Sequence, residues 1–238
     1  MKTREVSFYT ELGVKLSGLL HMPAGRSTGK RPGVVMCHGF GGIREMCILP
    51  LAEWLARAGF VTLVFDYRGF GHSEGQPRHR LIPMEQVEDI RNALTFMHMM
   101  PDVDPKRVGI CGISFGGANA PYTAAIDTRV KCTVAISGIG DVERAFRNAQ
   151  TQYYWRKLLA RLEESRKVRV STGKIDYIKI GRVLYGDPDT IEWAKKNQAD
   201  HPEAPTEITT DSVEAIIQYK PESVVSRIAP RPIMWVHS

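Results

Sequence analysis

The stretch Gly112-Ile113-Ser114-Phe115-Gly116 restricts the fold of this 238-residue chain more than any other. It closes the apolar run Arg107-Val108-Gly109-Ile110-Cys111 and opens the small-residue run Gly117-Ala118-Asn119-Ala120, so it reads as a strand, a sharp turn and a helix. A serine at such a turn is held in a strained backbone conformation with its hydroxyl pushed out of the sheet. The flanking positions must be glycine because a side chain there would strike the adjoining strand or helix. The helix behind the serine aims backbone N–H groups and the positive end of its dipole at any negative charge that develops beside it. A short glycine–serine pattern also arises by chance, so its surroundings have to carry the reading.

Those surroundings alternate strand and helix. Arg4 to Tyr9 and Lys15 to His21 alternate apolar and polar residues around Leu12-Gly13, the pattern of an antiparallel hairpin at a sheet edge. Gly33-Val34-Val35-Met36-Cys37 is a continuous apolar run of the kind covered on both faces, and it ends in His38-Gly39-Phe40-Gly41-Gly42. Leu49, Leu51, Ala52, Leu55 and Ala56 mark a helix that stops at Gly59, and Phe60 to Phe65 is the next buried strand. It leads into the polar loop Asp66-Tyr67-Arg68-Gly69-Phe70-Gly71-His72-Ser73, and Pro83 then opens a second helix. Val130 to Ser137 makes a further strand that ends at Gly138-Ile139-Gly140-Asp141. This order predicts an α/β fold: a mostly parallel central sheet with helices on both faces and functional loops at the strands' carboxyl ends.

From Val142 to Arg227 no buried-strand run occurs. Amphipathic stretches at Tyr153 to Leu162 and Thr190 to Gln198 are separated by Gly186-Asp187-Pro188-Asp189 and by the loop His201 to Pro205. Residues 142–227 are therefore expected to form a helical lid, or cap, on a core made of residues 1–141 and 228–238. Tyr153, Tyr154 and Trp155 at its first long helix are candidate substrate contacts, together with Gly39 and Phe40. Ile233 to Val236 is the last apolar strand.

Bulk properties exclude several classes. A hydrophobic content of 43% over this length supports one sizeable core. The formal charge of +6 would attract anionic partners weakly, but the basic residues lack the interleaved aromatics of a nucleic-acid groove. The densest run, Arg156 to Lys174, also holds Glu163 and Glu164 and reads as a solvated helix face. Cys37, Cys47, Cys111 and Cys132 show no metal-ligand spacing and read as reduced thiols, and the chain starts without an apolar signal core or a membrane-spanning run. A cytoplasmic protein with no nucleic-acid or membrane partner, no metal and no organic cofactor is the expectation, and a homo-oligomer is compatible with it.

The loops together resemble the α/β-hydrolase superfamily, more closely its dienelactone-hydrolase-like and X-Pro-dipeptidyl-peptidase-like serine esterases and peptidases. The carrying residues are His38 to Gly42, Asp66 to Ser73, Val103-Asp104-Pro105-Lys106-Arg107-Val108 and Gly112 to Gly116. The resemblance implies that Ser114 is a nucleophile and that the backbone N–H groups of Phe40 and Phe115 form the oxyanion hole, each donor contributing about 2.7–4 kcal/mol to catalysis. It implies a serine hydrolase of carboxylic esters, lactones or thioesters, a carboxylesterase in the broad sense, acting on a small-molecule substrate. A serine at the turn argues against the aspartate-dependent dehalogenases and epoxide hydrolases of the same fold. Asp66 and Arg68 are expected to organise their loop.

In that superfamily the acid follows the strand occupied here by Ile233 to Val236, and the histidine follows one strand later. Both are expected from a segment beyond Ser238 or from a second chain, which would also supply the final strand and helix; Asp141 is the alternative acid within the chain. A peptidase or amidase and a carbon–carbon bond hydrolase share the acyl chemistry. A hydrolase-fold binding protein without turnover is the rival from a different class.

Overall fold

The computed structural model describes residues 1–25, 29–184 and 188–237. Gly186 and Asp187, expected to separate two cap helices, and Ser238 lie outside the described residues.

The chain begins with β1 (Lys2–Tyr9) and β2 (Lys15–Met22), which pair antiparallel as the alternation requires. Then come β3 (Arg31–Cys37), α1 (Leu49–Arg57), β4 (Val61–Phe65), α2 (Pro83–Met99), β5 (Val103–Ile113), α3 (Phe115–Ile126) and β6 (Thr133–Ile136). Residues 142–227, the segment expected to form a cap, contribute α4 (Val142–Asn148), α5 (Gln152–Thr172), β7 (Tyr177–Lys179), α6 (Pro188–Asp200), β8 (Glu207–Thr209) and α7 (Thr210–Ile217) before β9 (Ile233–Val236). The main sheet has the order β1-β2-β4-β3-β5-β6-β9, parallel from β4 to β9.

The apolar runs of β3 and β4 are buried on both faces, which explains why they do not alternate. Val35 and Cys37 of β3 join Leu63 and Phe65 of β4 in the large core shared with α2 and α3. Val34, Met36 and Val64 join Ile48 and Ala52 beneath α1 on the opposite face. Burying apolar surface at roughly 25 cal/mol per Å² makes these two layers the main source of stability.

The helical cap segment also contains the short ribbon β7–β8, which the sequence does not announce. Three-residue strands are too short to show a period of two. Phe146 of α4, Trp155, Leu158 and Leu162 of α5, and Val213 and Ile216 of α7 belong to one continuous core with β3 to β5, and Phe146 meets Phe40 of the loop after β3. At the far edge, β9 pairs only with β6 among the described strands and leaves Met234, Trp235 and Val236 exposed. No helix among the described residues is long and apolar enough to cross a membrane.

Candidate active site

The site forms where strand order reverses. From β3 the chain passes to β4 on one side and then to β5 on the other, so the loops after β3 and β5 open into one crevice. The pairing of Cys37 with Gly112 fixes their heights, and the residues that follow each strand meet.

Ser114 sits between β5 and α3 with φ +55° and ψ −118°, a region that side-chain-bearing residues rarely occupy. Its N–H donates to the Ile136 carbonyl at 2.8 Å, and its carbonyl accepts the first helical bond from Ala118 at 3.1 Å. The turn closes because its neighbours lack side chains. A Cβ on Gly116 would collide with the carbonyl oxygens of Cys37 and His38, and one on Gly112 with the backbone of Gly116. Among the described residues no side chain is hydrogen-bonded to the Ser114 hydroxyl.

The loop after β3 lies against this turn. A Cβ on Gly39 would stand 3.4 Å from Ser114 Cβ and 3.8 Å from its Oγ. Phe40 follows Gly39 and Phe115 follows Ser114 in sequence, and neither amide donates to another backbone carbonyl among the described residues. For Phe115 this is dictated by its place, since the first N–H groups of a helix have no intrahelical acceptor. The Phe40 ring meets Phe115 edge-on at 5.9 Å and Phe146 at 6.0 Å, and Phe115 continues to Tyr219 at 5.9 Å. Phe146 and Tyr219 come from the cap segment. Sequence reasoning missed both, because nothing local distinguishes them from ordinary core aromatics.

His38 follows β3 and is buried. Its Nδ1 is 3.0 Å from the Gly39 carbonyl, which can only accept, so the proton sits on Nδ1; the ring packs edge-on against Tyr67. Burial pushes its pKa down to about 4 from the ordinary 6.5. Its neutral form therefore contributes stability above the ordinary value that is lost as pH falls towards 4. The imidazole proton resonances of His38 are expected to stay flat between about pH 8 and pH 5 in an NMR titration; a midpoint near 6.5 would contradict the burial argument.

Asp66 and Arg68 hold loops in place, as expected. The fully buried Asp66 carboxylate accepts N–H bonds from Arg44 (2.8 Å) and His72 (3.0 Å), tying the loop after β3 to the loop after β4. Burial raises its pKa to about 6 against the opposing pull of those donors. Gly71 leaves room for this carboxylate, with which a Cβ would overlap. Arg68 clamps the buried Asp89 (2.7 Å) and the exposed Glu11 (3.1 Å).

Asp141 caps α4, accepting the Arg144 N–H at 2.9 Å, and pairs with Lys220 at 3.3 Å. The Arg144 N–H bond is the main reason its pKa is lowered. Tyr153 and Tyr154 at the start of α5 are exposed and pack on each other, whereas Trp155 turns into the core. The structure thus brings Gly39, Phe40, Ser114 and Phe115 together, while Asp141 and the Tyr153-Tyr154-Trp155 group serve a helix cap and the cap segment. Three of the other histidines are dispersed: His72 faces Glu45, His79 packs near Phe70, and His201 faces Glu203.

A family model described as the alpha/beta hydrolase fold matches residues 32–171. An uncharacterised 31.7 kDa protein of Escherichia coli is 33% identical over 199 residues, covering 84% of this chain and 69% of that one. A protein of Aspergillus aculeatus named thiohydrolase aneE is 38% identical over 143 residues, or 60% of this chain and 43% of its own length. The crystal structure of a hypothetical protein from Pseudomonas aeruginosa superposes with a TM-score of 0.86 at 27% identity, covering 99% of this chain and 77% of that one.

Proposed function

The chain belongs to the α/β-hydrolase fold family, and from that premise we propose that it is a serine hydrolase cleaving a carboxylic ester or thioester through an acyl-enzyme on Ser114. The observation that carries the reading is the positive-φ serine at the β5–α3 turn with Gly39 beside its hydroxyl. A strained serine of this kind persists where function requires it. The name of the Aspergillus relative favours a thioester among the possible acyl donors.

In the first half-reaction the Ser114 oxygen bonds to the substrate carbonyl carbon as a base takes its proton. The oxyanion is held by the Phe40 and Phe115 amides, and the leaving alcohol or thiol departs with the proton. Water then attacks the acyl-serine, releasing a carboxylic acid and restoring the hydroxyl. The half-buried Phe40 ring, backed by the buried Phe115, Phe146 and Tyr219 rings, offers the acyl portion an apolar contact.

No described histidine is hydrogen-bonded to Ser114, and the exposed apolar edge of β9 invites another strand. Both observations support a base and acid supplied from outside the described residues, by a segment continuing from β9 or by a second chain. Asp141 then acts as a cap. Asp141→Asn keeps a side-chain acceptor at the cap, so both stability and turnover are expected to stay within a few-fold of the parent. Loss of turnover by about 10⁴ with an unchanged melting temperature would instead make Asp141 the triad acid.

The two-step route is tested by rapid mixing with an activated ester or thioester. A burst of leaving group stoichiometric with protein, followed by slower steady turnover, is expected when deacylation limits. Trapping the acyl group on any residue other than Ser114 overturns the reading.

A further inference from the structure

The formal charge of the chain is concentrated on one part of the cap. From Gln152 to Arg182 there are nine Lys and Arg residues against three Asp and Glu, an excess equal to the +6 of the whole protein. On α5, Arg166 and Arg169 share Glu214, and Lys167 is paired with Glu163 and Glu164. A cleft of about 630 Å³ on this side, lined among others by Arg166, Lys167, Glu163 and Glu214, is therefore electrically balanced. Lys157 and Arg182 have no ion pair among the described residues, and they lie together elsewhere.

They line a cleft of about 320 Å³ between α5 and the β7 region, with Arg161, Tyr154, Leu158 and Ile178. Arg161 is paired with Asp176, so the three cations leave a net charge near +2 facing the opening. The floor is apolar, formed by Leu158 and Ile178. A phosphate ester carries about −1.5 to −2 at neutral pH and takes bidentate bonds from arginine, and an organic group attached to it would lie on that floor. A single carboxylate would leave the charge half-met.

One short segment, Ile178 to Arg182, links the cleft to the loop after β3. Two residues beyond Ile178, Ile180 packs on the loop after β3, where a Cβ on Gly41 would lie 2.7 Å from Ile180 Cδ1. The apolar Phe40 contact suits the acyl portion, which leaves the cationic cleft for the other side of the scissile bond. We propose that Lys157, Arg161 and Arg182 form a subsite for a phosphate-bearing leaving group, so that the substrate is an acyl ester or thioester of a phosphorylated carrier. The inference rests on the hydrolase reading given above.

Two thioesters with the same acyl group test it: acetyl-coenzyme A, whose leaving thiol carries phosphates, and S-acetyl-N-acetylcysteamine, whose leaving thiol is neutral. The parent protein is expected to prefer the phosphorylated substrate by about tenfold or more in kcat/KM, chiefly through KM, with the preference fading as salt rises. Lys157→Ala/Arg182→Ala removes two exposed side chains and should bring the ratio near one, with turnover of the neutral substrate unchanged. Lys195→Ala on α6 should leave the ratio as it was. A ratio near one in the parent, or a preference that survives the double substitution, overturns the subsite. If neither thioester is turned over, the hydrolase reading has failed separately, and calorimetry with free coenzyme A decides the cleft. Binding that the double substitution abolishes supports it, and absence of binding by the parent overturns it.

Discussion

Replacing Ser114 with alanine is expected to lower kcat/KM for the hydrolysed acyl substrate by about 10⁴-fold or more while the melting temperature stays within a degree or two of the parent. The loss is large because in the proposed mechanism the hydroxyl is the only atom of the turn that bonds to the substrate, and the Phe40 and Phe115 amides would stabilise an oxyanion only once one exists. Stability changes little because the Ser114 hydroxyl is bonded to no side chain among the described residues and alanine keeps the Cβ at the same φ of +55°. Glycine is the informative contrast. Ser114→Gly should lose turnover equally but gain roughly 1 kcal/mol of stability, since the strain of a side chain at this backbone conformation is relieved. Turnover retained by both variants would place the nucleophile elsewhere.

Gly116→Ala is expected to remove both stability and activity, by about 3 kcal/mol or more in equilibrium unfolding. The methyl group would meet the carbonyl oxygens of Cys37 and His38, which are backbone atoms at the buried end of β3 and cannot swing aside. Relief would require the first turn of α3 to move away from β3. That displacement would separate Ser114 from Gly39 and spread the two amides. A variant that folded normally and kept its turnover would mean that the close approach of α3 to β3 is not needed by the site. The size of this effect, set against the small effect foreseen for Ser114→Ala on stability, separates the residue that reacts from the residue that positions it.

Much of this architecture is legible in the sequence because it follows from local rules. The uninterrupted apolar run at Val34 to Cys37 and the apolar stretch Val61 to Phe65, broken only by Thr62, announce doubly covered strands, and both are. Gly59, at φ +103°, and Pro83, at the start of α2, punctuate helices where expected. The meeting of Gly39 with Ser114 follows from the order of parallel strands alone. What the sequence conceals depends on contacts between distant segments. Phe146 and Tyr219 reach the site only through the way α4 and α7 fold back on the sheet, and β7 and β8 are too short to mark themselves. The run from Arg156 to Lys174 reads as a uniform charged face, yet the fold neutralises Arg166, Lys167 and Arg169 and leaves Lys157, like Arg182 beyond the run, without an ion pair among the described residues. Which charges find partners is a tertiary property.

The central claim is that Ser114 is an activated nucleophile. Its most direct test treats the folded protein with a fluorophosphonate, which bonds to a serine oxygen as fluoride leaves, and then locates the adduct by mass spectrometry. Trypsin places Ser114 in the peptide from Val108 to Arg129, in which it is the sole serine. A single stoichiometric adduct on that residue, abolished in Ser114→Ala, is the predicted result. A folded protein that hydrolyses acyl substrates yet carries no adduct, or carries it on a different peptide, would contradict the account.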